Sequence, residues 1–401
     1  MTGTLRLYAR GTSLRRGAEV RGWRTLEANL RYRQTGAWQV TGSAAGLVRR
    51  LAVSGGGLIL VDPRGVPLHA PGGVLISGPV EDVGPTERTA AGDTAGPGAL
   101  TVSGGDDLAV VAGELAWPDP TSPISDQTAA AYDARSGAAE TVIKGYVGAN
   151  VGTGRAVDRA DPDVPDAPLV TIAADAARGG AVSYQARFDP LMDVVRSMCA
   201  ASSPELGVRV TQVDDDRVFD VYQPVDRSSR VVFSFDRGNL RGYSLTRSAP
   251  TATHVVVAGA GEGSVRPFIE RKDAAAAQEW RTVVRTFVDQ RSTDVVAELE
   301  AAGDEALAQA RRASVLSATA VDTASCRFGQ HFGLGDWVAI ELAQGVRYVD
   351  QVTAVKIAAD KDGIHPTEVT IGQSEQDAHD SVLYQRVAAL EAQLSALQRR
   401  H

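Results

Sequence analysis

The last nineteen residues constrain this chain most. Leu383, Val387, Leu390, Leu394 and Leu397 recur at spacings of four, three, four and three, the apolar seam of a coiled coil. With Leu383, Leu390 and Leu397 at d, Val387 and Leu394 fall at a. Arg386 then stands at g and Glu391 at the following e, where parallel chains can pair them. Glycine and proline are absent from 373 onward, as a helix requires. The pattern predicts a C-terminal helix at which identical chains meet on an axis. A helix this short is marginal in isolation. The preceding domains are therefore expected to hold the chains together, with the coil closing or extending the assembly. The alternative is a single amphipathic helix packed back on its own domain. The heptads alone do not separate two strands from three.

A chain of 401 residues predicts two to four domains. The net charge is −8, with 41 basic against 49 acidic residues and no lysine/arginine block, which argues against a nucleic-acid grip. Cys199 and Cys326 are the only cysteines, too few for a disulfide framework or a structural zinc site. Arg6, Arg10, Arg15 and Arg16 precede no apolar core segment, and no run approaches eighteen apolar residues. The expected product is soluble and cytoplasmic, with no signal peptide and no membrane insertion by itself.

The pattern of short apolar runs between turn residues predicts a mainly β chain with some α, an α+β architecture of several domains. Residues 1–120 read as a β-barrel or sandwich, with strands at Leu47–Val53 and Leu58–Val61 and a type I turn at Asp62-Pro63-Arg64-Gly65. Residues 121–187 read as an insertion of helix and loop, with an apolar stripe at Val142, Ile143, Tyr146 and Val147. Residues 188–250 read as an α+β domain. It opens with an Asp189 N-cap and Pro190 at the first helical position, and continues with a face of Leu191, Val194, Val195 and Met198. Residues 251–375 read as a second β-barrel domain that includes the longest internal helix, 292–313. The face of that helix carries Val296, Leu299, Gly303, Ala306 and Ala310, and Gly303 is expected to admit another backbone. Residues 376–401 form the coil.

No phosphate loop, serine elbow or zinc-protease motif occurs. Gly259-Ala260-Gly261-Glu262-Gly263 lacks dinucleotide-binding spacing. The six histidines are scattered, with no pair at metal-ligand spacing. Asp214-Asp215-Asp216 reads as a hairpin turn, with a calcium or magnesium site as the lesser reading. Cys199 falls off the apolar stripe of its helix, and no partner marks it as a nucleophile. Carboxylates are too plentiful for the sequence to single out a glycosidase pair. The reading is a non-enzyme with no cofactor, no metal and no catalytic residue.

Several runs resemble one family in their combined order. Gly78-Pro79-Val80-Glu81-Asp82-Val83 leads to Leu100-Thr101-Val102-Ser103-Gly104-Gly105-Asp106-Asp107-Leu108 and then Trp117-Pro118-Asp119-Pro120. Ala139-Glu140-Thr141-Val142-Ile143-Lys144 follows, with Arg155 and Arg159. Val231–Phe235 with Gly238-Asn239-Leu240 continues through Val255-Val256-Val257-Ala258-Gly259 to Arg266. Trp280 to Arg291, Leu299 to Leu307 and Leu334-Gly335-Asp336-Trp337-Val338 complete the series. Over about 370 residues the order resembles the Gp37-like tail proteins of long-tailed phages, of the ReqiPepy6 type, which are related to tail-hub and tail-associated proteins. The loops 84–98 and 154–168 do not match. The resemblance implies a structural hub at a virion tail tip: a homotrimer whose two β-barrels per chain make a pseudo-sixfold ring. It further implies a distal tail ring, a tape-measure protein and tail fibre or spike proteins as partners. Two other readings are a receptor- or carbohydrate-binding β module and a tail-associated cell-wall hydrolase.

Overall fold

Alternation of apolar and polar residues sets most of the strands. Trp23–Arg31 and Ala37–Ser43 each bury every second side chain, so Leu26, Ala28 and Leu30 stack beside Trp38 and Val40 in one core layer. The computed structural model describes residues 5–70, 72–84, 98–154, 170–246, 249–261, 265–291, 293–310, 315–342 and 345–372. Among these, strands far outnumber helices, and the chain is mainly β with several separate sheets. No helix among them is long and apolar enough to cross a membrane. The coil at 376–401, with its seam Leu383, Val387, Leu390, Leu394 and Leu397 and its flanking Arg386 and Glu391, lies outside the described residues.

Among the described residues the chain divides into two units, one within 1–242 and 318–371 and one within 243–317. In the first unit, Arg16–Glu19, Arg6–Arg10, Gly57–Val61 and Val74–Pro79 form an antiparallel four-stranded sheet in that order. Gly57–Val61 is buried on both faces, which accounts for its unbroken apolar run. A larger sheet runs Glu368–Gly372, Arg347–Asp360, Trp23–Arg31, Ala37–Ser43, Ala99–Gly105 and Asp82–Val83. Trp337–Glu341 pairs with the start of Arg347–Asp360, and Val232–Ser234 joins it in parallel. The N-terminal hairpin is thus completed by a strand more than three hundred residues later.

A second core of the same unit is built on helices. Ala139–Asn150 and Leu191–Ala201 pack over the strands Val170–Ile172, Asp216–Tyr222 and Gly207–Val213, with Ile143, Tyr146, Leu191 and Phe219 fully buried. The apolar faces read from the sequence, Val142, Ile143, Tyr146 and Val147 on one helix and Leu191, Val194, Val195 and Met198 on the other, are the buried ones. The second unit has a three-stranded sheet, Phe268–Lys272, His254–Ala258 and Arg285–Asp289, with the helix Val296–Ala310 on one face.

Four local expectations are corrected. Leu47–Val53 is not a strand: Leu47–Arg50 is a 3₁₀ turn, because the buried residues Val48 and Leu51 are three apart rather than two. Asp189 does not cap its helix. It pairs with Ala116 as a short bridge, its carboxylate accepts from the Arg187 N–H at 2.9 Å, and Pro190 takes the cap position. Cys199 is fully buried, and burial pushes its thiol up to about 12. On Val296–Ala310, Leu299 is buried but Val296 is 57% exposed; the space over Gly303 is filled by the Arg271 and Val257 side chains, not by backbone.

Candidate functional site

Two of the family-like runs, the one from Gly78 and the one from Leu100 to Leu108, meet at a crossing in the first unit. Strand Val74–Pro79 of the small sheet passes over strand Ala99–Gly105 of the large one. A Cβ on Gly78 would lie 1.9 Å from the Gly105 oxygen, and a Cβ on Gly104 would lie 2.0 Å from the Pro79 oxygen. Only glycine permits this approach. The turn beyond Gly105 then delivers Asp107 into the interior. Its N–H donates to the Ser77 carbonyl at 2.9 Å, and the Ser77 hydroxyl donates back to Asp107 Oδ2 at 2.6 Å. Arg10 reaches both carboxylate oxygens at 2.7 Å and the Gln212 oxygen at 3.2 Å. Arg217 Nε lies 3.2 Å from Asp107 Oδ1. Gln212 donates to the carbonyls of Leu14 and Asp214. Burial holds the Arg217 guanidinium below its usual range, while the Asp107 carboxylate opposes that shift. One buried acid thus ties three strands and a helical turn from across the sequence.

Asp106 beside it is placed differently. Its Oδ2 accepts from the Gly36 N–H at 2.8 Å and its Oδ1 from the Leu108 N–H at 3.1 Å. Burial pushes its carboxyl up to about 7, with smaller upward pushes from Asp107 and Glu81, while the two N–H donors pull it down. A carboxyl raised on folding favours the folded state when protonated. Its contribution is therefore full below pH ~4 and is lost as pH rises through about 7. Asp106→Asn should flatten the fall in denaturation midpoint between pH ~4 and about 7. An unchanged slope would assign that fall to other groups.

Two further acids in those runs act the same way. Glu140, fully buried, accepts from Lys144 Nζ at 2.6 Å and from the Arg178 N–H at 2.9 Å. Lys144 also donates to the Ala174 carbonyl at 2.7 Å and lies 3.5 Å from Asp220, which in turn accepts from Arg209 at 2.9 Å. Asp336 accepts from the N–H groups of Val225 and Gly333 at 2.7 and 2.8 Å and from Arg227 Nε at 2.6 Å. It fixes the entry to strand Trp337–Glu341 against the segment 225–227. These carboxylates are occupied by fixed donors. The arrangement positions segments of the first unit relative to one another.

Among the described residues, those weighed as possible chemistry form no metal-binding group. Asp214 and Asp215 form the two-residue turn between Gly207–Val213 and Asp216–Tyr222, with Asp214 at φ 52°. No group of three or more metal-ligating side chains occurs among the described residues. A groove of about 1020 Å³ in the first unit is lined by partnered polar groups, including Arg21 with Glu19, Lys361 with Asp362, and His365 Nε2 2.9 Å from Asp360. The buried acids Asp107, Glu140 and Asp336 stood in the sequence only as family-like punctuation. Their partners lie 97, 38 and 109 residues away, beyond any local pattern. Glu140 and Lys144 gave a usable signal, an i,i+4 pair interleaved with the residues of an apolar stripe.

This fold is that of phage tail proteins. The chain is similar to the tail protein from Neisseria meningitidis MC58, at 12% identity and TM-score 0.53, covering 93% of this chain and 97% of that one. It is similar to the prophage MuSo2 43 kDa tail protein from Shewanella oneidensis, at 11% identity and TM-score 0.54, covering 92% and 98%. It is also similar to the prophage tail protein gp18 from Listeria monocytogenes EGD-e, at 9% identity and TM-score 0.51, covering 96% and 99%. The chain belongs to the Siphovirus ReqiPepy6 Gp37-like protein family, whose model matches residues 4–373. No curated protein matches it in sequence.

Proposed function

We propose that this chain is the structural hub of a phage tail tip. The observation that carries the reading is membership of the Gp37-like family over residues 4–373, together with a tail-protein fold along nearly the whole chain. Its location is the virion tail, and its role there is structural rather than catalytic. The buried acids support this: Asp107, Glu140 and Asp336 spend their charge on fixing strands and loops of one unit to each other. A part that transmits load between rings needs such fixed geometry.

In the hub reading three copies form a ring that closes the tail tube and adapts its symmetry to host-contact proteins. Two β-barrels per chain would supply two ring positions; since Trp23–Arg31 and Arg347–Asp360 share one sheet, these barrels would not divide as 1–120 and 251–375. A distal tail ring would stack on one side, the tape-measure protein would end there, and a fibre or spike protein would sit beyond the coil of 376–401. Removing 380–401 should weaken association of three chains while leaving the β-sheet circular dichroism and thermal transition unchanged. Light-scattering mass across a dilution series measures this. Unaltered association would remove Leu383, Val387, Leu390, Leu394 and Leu397 as organising residues.

A further inference from the structure

The sheet of the second unit leaves one edge open. Its order is Phe268–Lys272, His254–Ala258, Arg285–Asp289, and among the described residues nothing pairs with the outer side of Arg285–Asp289. Val283 and Phe287 are 53% and 54% exposed, and the Arg285 and Asp289 side chains are 62% and 40% exposed. Natural sheets usually blunt such edges with short strands, charged side chains, proline or a bulge. Val283-Val284-Arg285-Thr286-Phe287-Val288-Asp289 has no proline, a high share of β-forming residues and one charge of each sign.

The backbone direction is fixed by the inner strand. The Val284 carbonyl accepts from the Thr253 and His254 N–H groups, and the Gln290 N–H donates to the Ala258 carbonyl. In a parallel ladder, alternate residues face the partner. Residues 284, 286, 288 and 290 therefore face inward, and Arg285, Phe287 and Asp289 turn their N–H and C=O groups out. Opposite charges stand at equal distances on either side of Phe287.

We propose that this edge pairs antiparallel with the same edge of a second copy, centred on Phe287. Phe287 then lies opposite Phe287 of the other copy, and Arg285 opposite Asp289 at both ends. All three outward residues form hydrogen-bonded pairs, and two three-stranded sheets become one of six strands. Opposite charges and aromatic pairs directly across a ladder are the favourable combinations. Asp289 already holds Arg266 and Arg291, and Arg285 lies 3.6 Å from Glu270, so the new ion pairs add to local ones. The contact is two-fold and isologous. It does not rest on the hub reading, because it doubles whatever oligomer the rest of the chain forms.

Sedimentation velocity of the full chain across concentration tests it. Arg285→Asp sets acid against acid at both ends, and Asp289→Arg sets base against base. Each should raise the concentration needed for doubling at least tenfold, and an equimolar mixture of the two variants should recover wild-type doubling. Equal doubling in wild type and Arg285→Asp, or a mixture as weak as its components, overturns the proposal. Phe287→Cys supplies a test free of charge changes, since Cys199 and Cys326 are buried. Under mild oxidation it should form a covalent two-chain species that Val265→Cys does not form. Equal yields at the two positions would count against the register.

Discussion

Asp107→Ala should lower the stability of the first unit by about 3–5 kcal/mol, the range for breaking a buried ion pair from one side. Arg10 and Arg217 would be left as two cations with side chains 2% and 8% exposed and no carboxylate between them. The Ser77 hydroxyl would lose its acceptor as well. For a body this large the transition should fall by roughly 10 °C. Asp107→Asn keeps one acceptor oxygen but no charge, so its loss should be smaller. Scanning calorimetry of the full chain reads both values. A loss below about 1 kcal/mol for the alanine variant would show that the small sheet is held by its apolar contacts alone.

Gly78→Ala should cost about 3 kcal/mol, at the upper end of overpacking penalties. The added methyl carbon would meet backbone atoms, the Gly105 oxygen at 1.9 Å and the Asp106 Cα at 2.8 Å, and backbone cannot rotate away. Relief requires the two strands to separate. Separation would also pull Ser77 away from Asp107, so the two substitutions are coupled. The double variant Gly78→Ala/Asp107→Ala should lose clearly less than the sum of the single losses. Strict additivity in denaturant titration would mean that the close approach and the ion network hold independently.

These residues show what could be read from the sequence. The strand at Leu58–Val61, the Asp214–Asp215 turn and the stripes on two helices were legible because each rests on residues a few positions apart. The pairing of Trp23–Arg31 with Arg347–Asp360 was not, since no local pattern links strands so far apart. The 3₁₀ turn at Leu47–Arg50 was misread because a short apolar run fits either period. At the crossing, the sequence displayed Gly78, Gly104 and Asp107 but not the reason for them. A glycine needed for close approach and an aspartate needed for buried cations look the same in sequence as turn residues.

The central claim concerns assembly, and native mass spectrometry of the full chain at micromolar concentration tests it most directly. The hub reading predicts masses of three chains, or six where the open edge of Arg285–Asp289 also pairs. The Arg285→Asp variant should then give three chains alone. A single-chain mass for both proteins at all concentrations would contradict the hub.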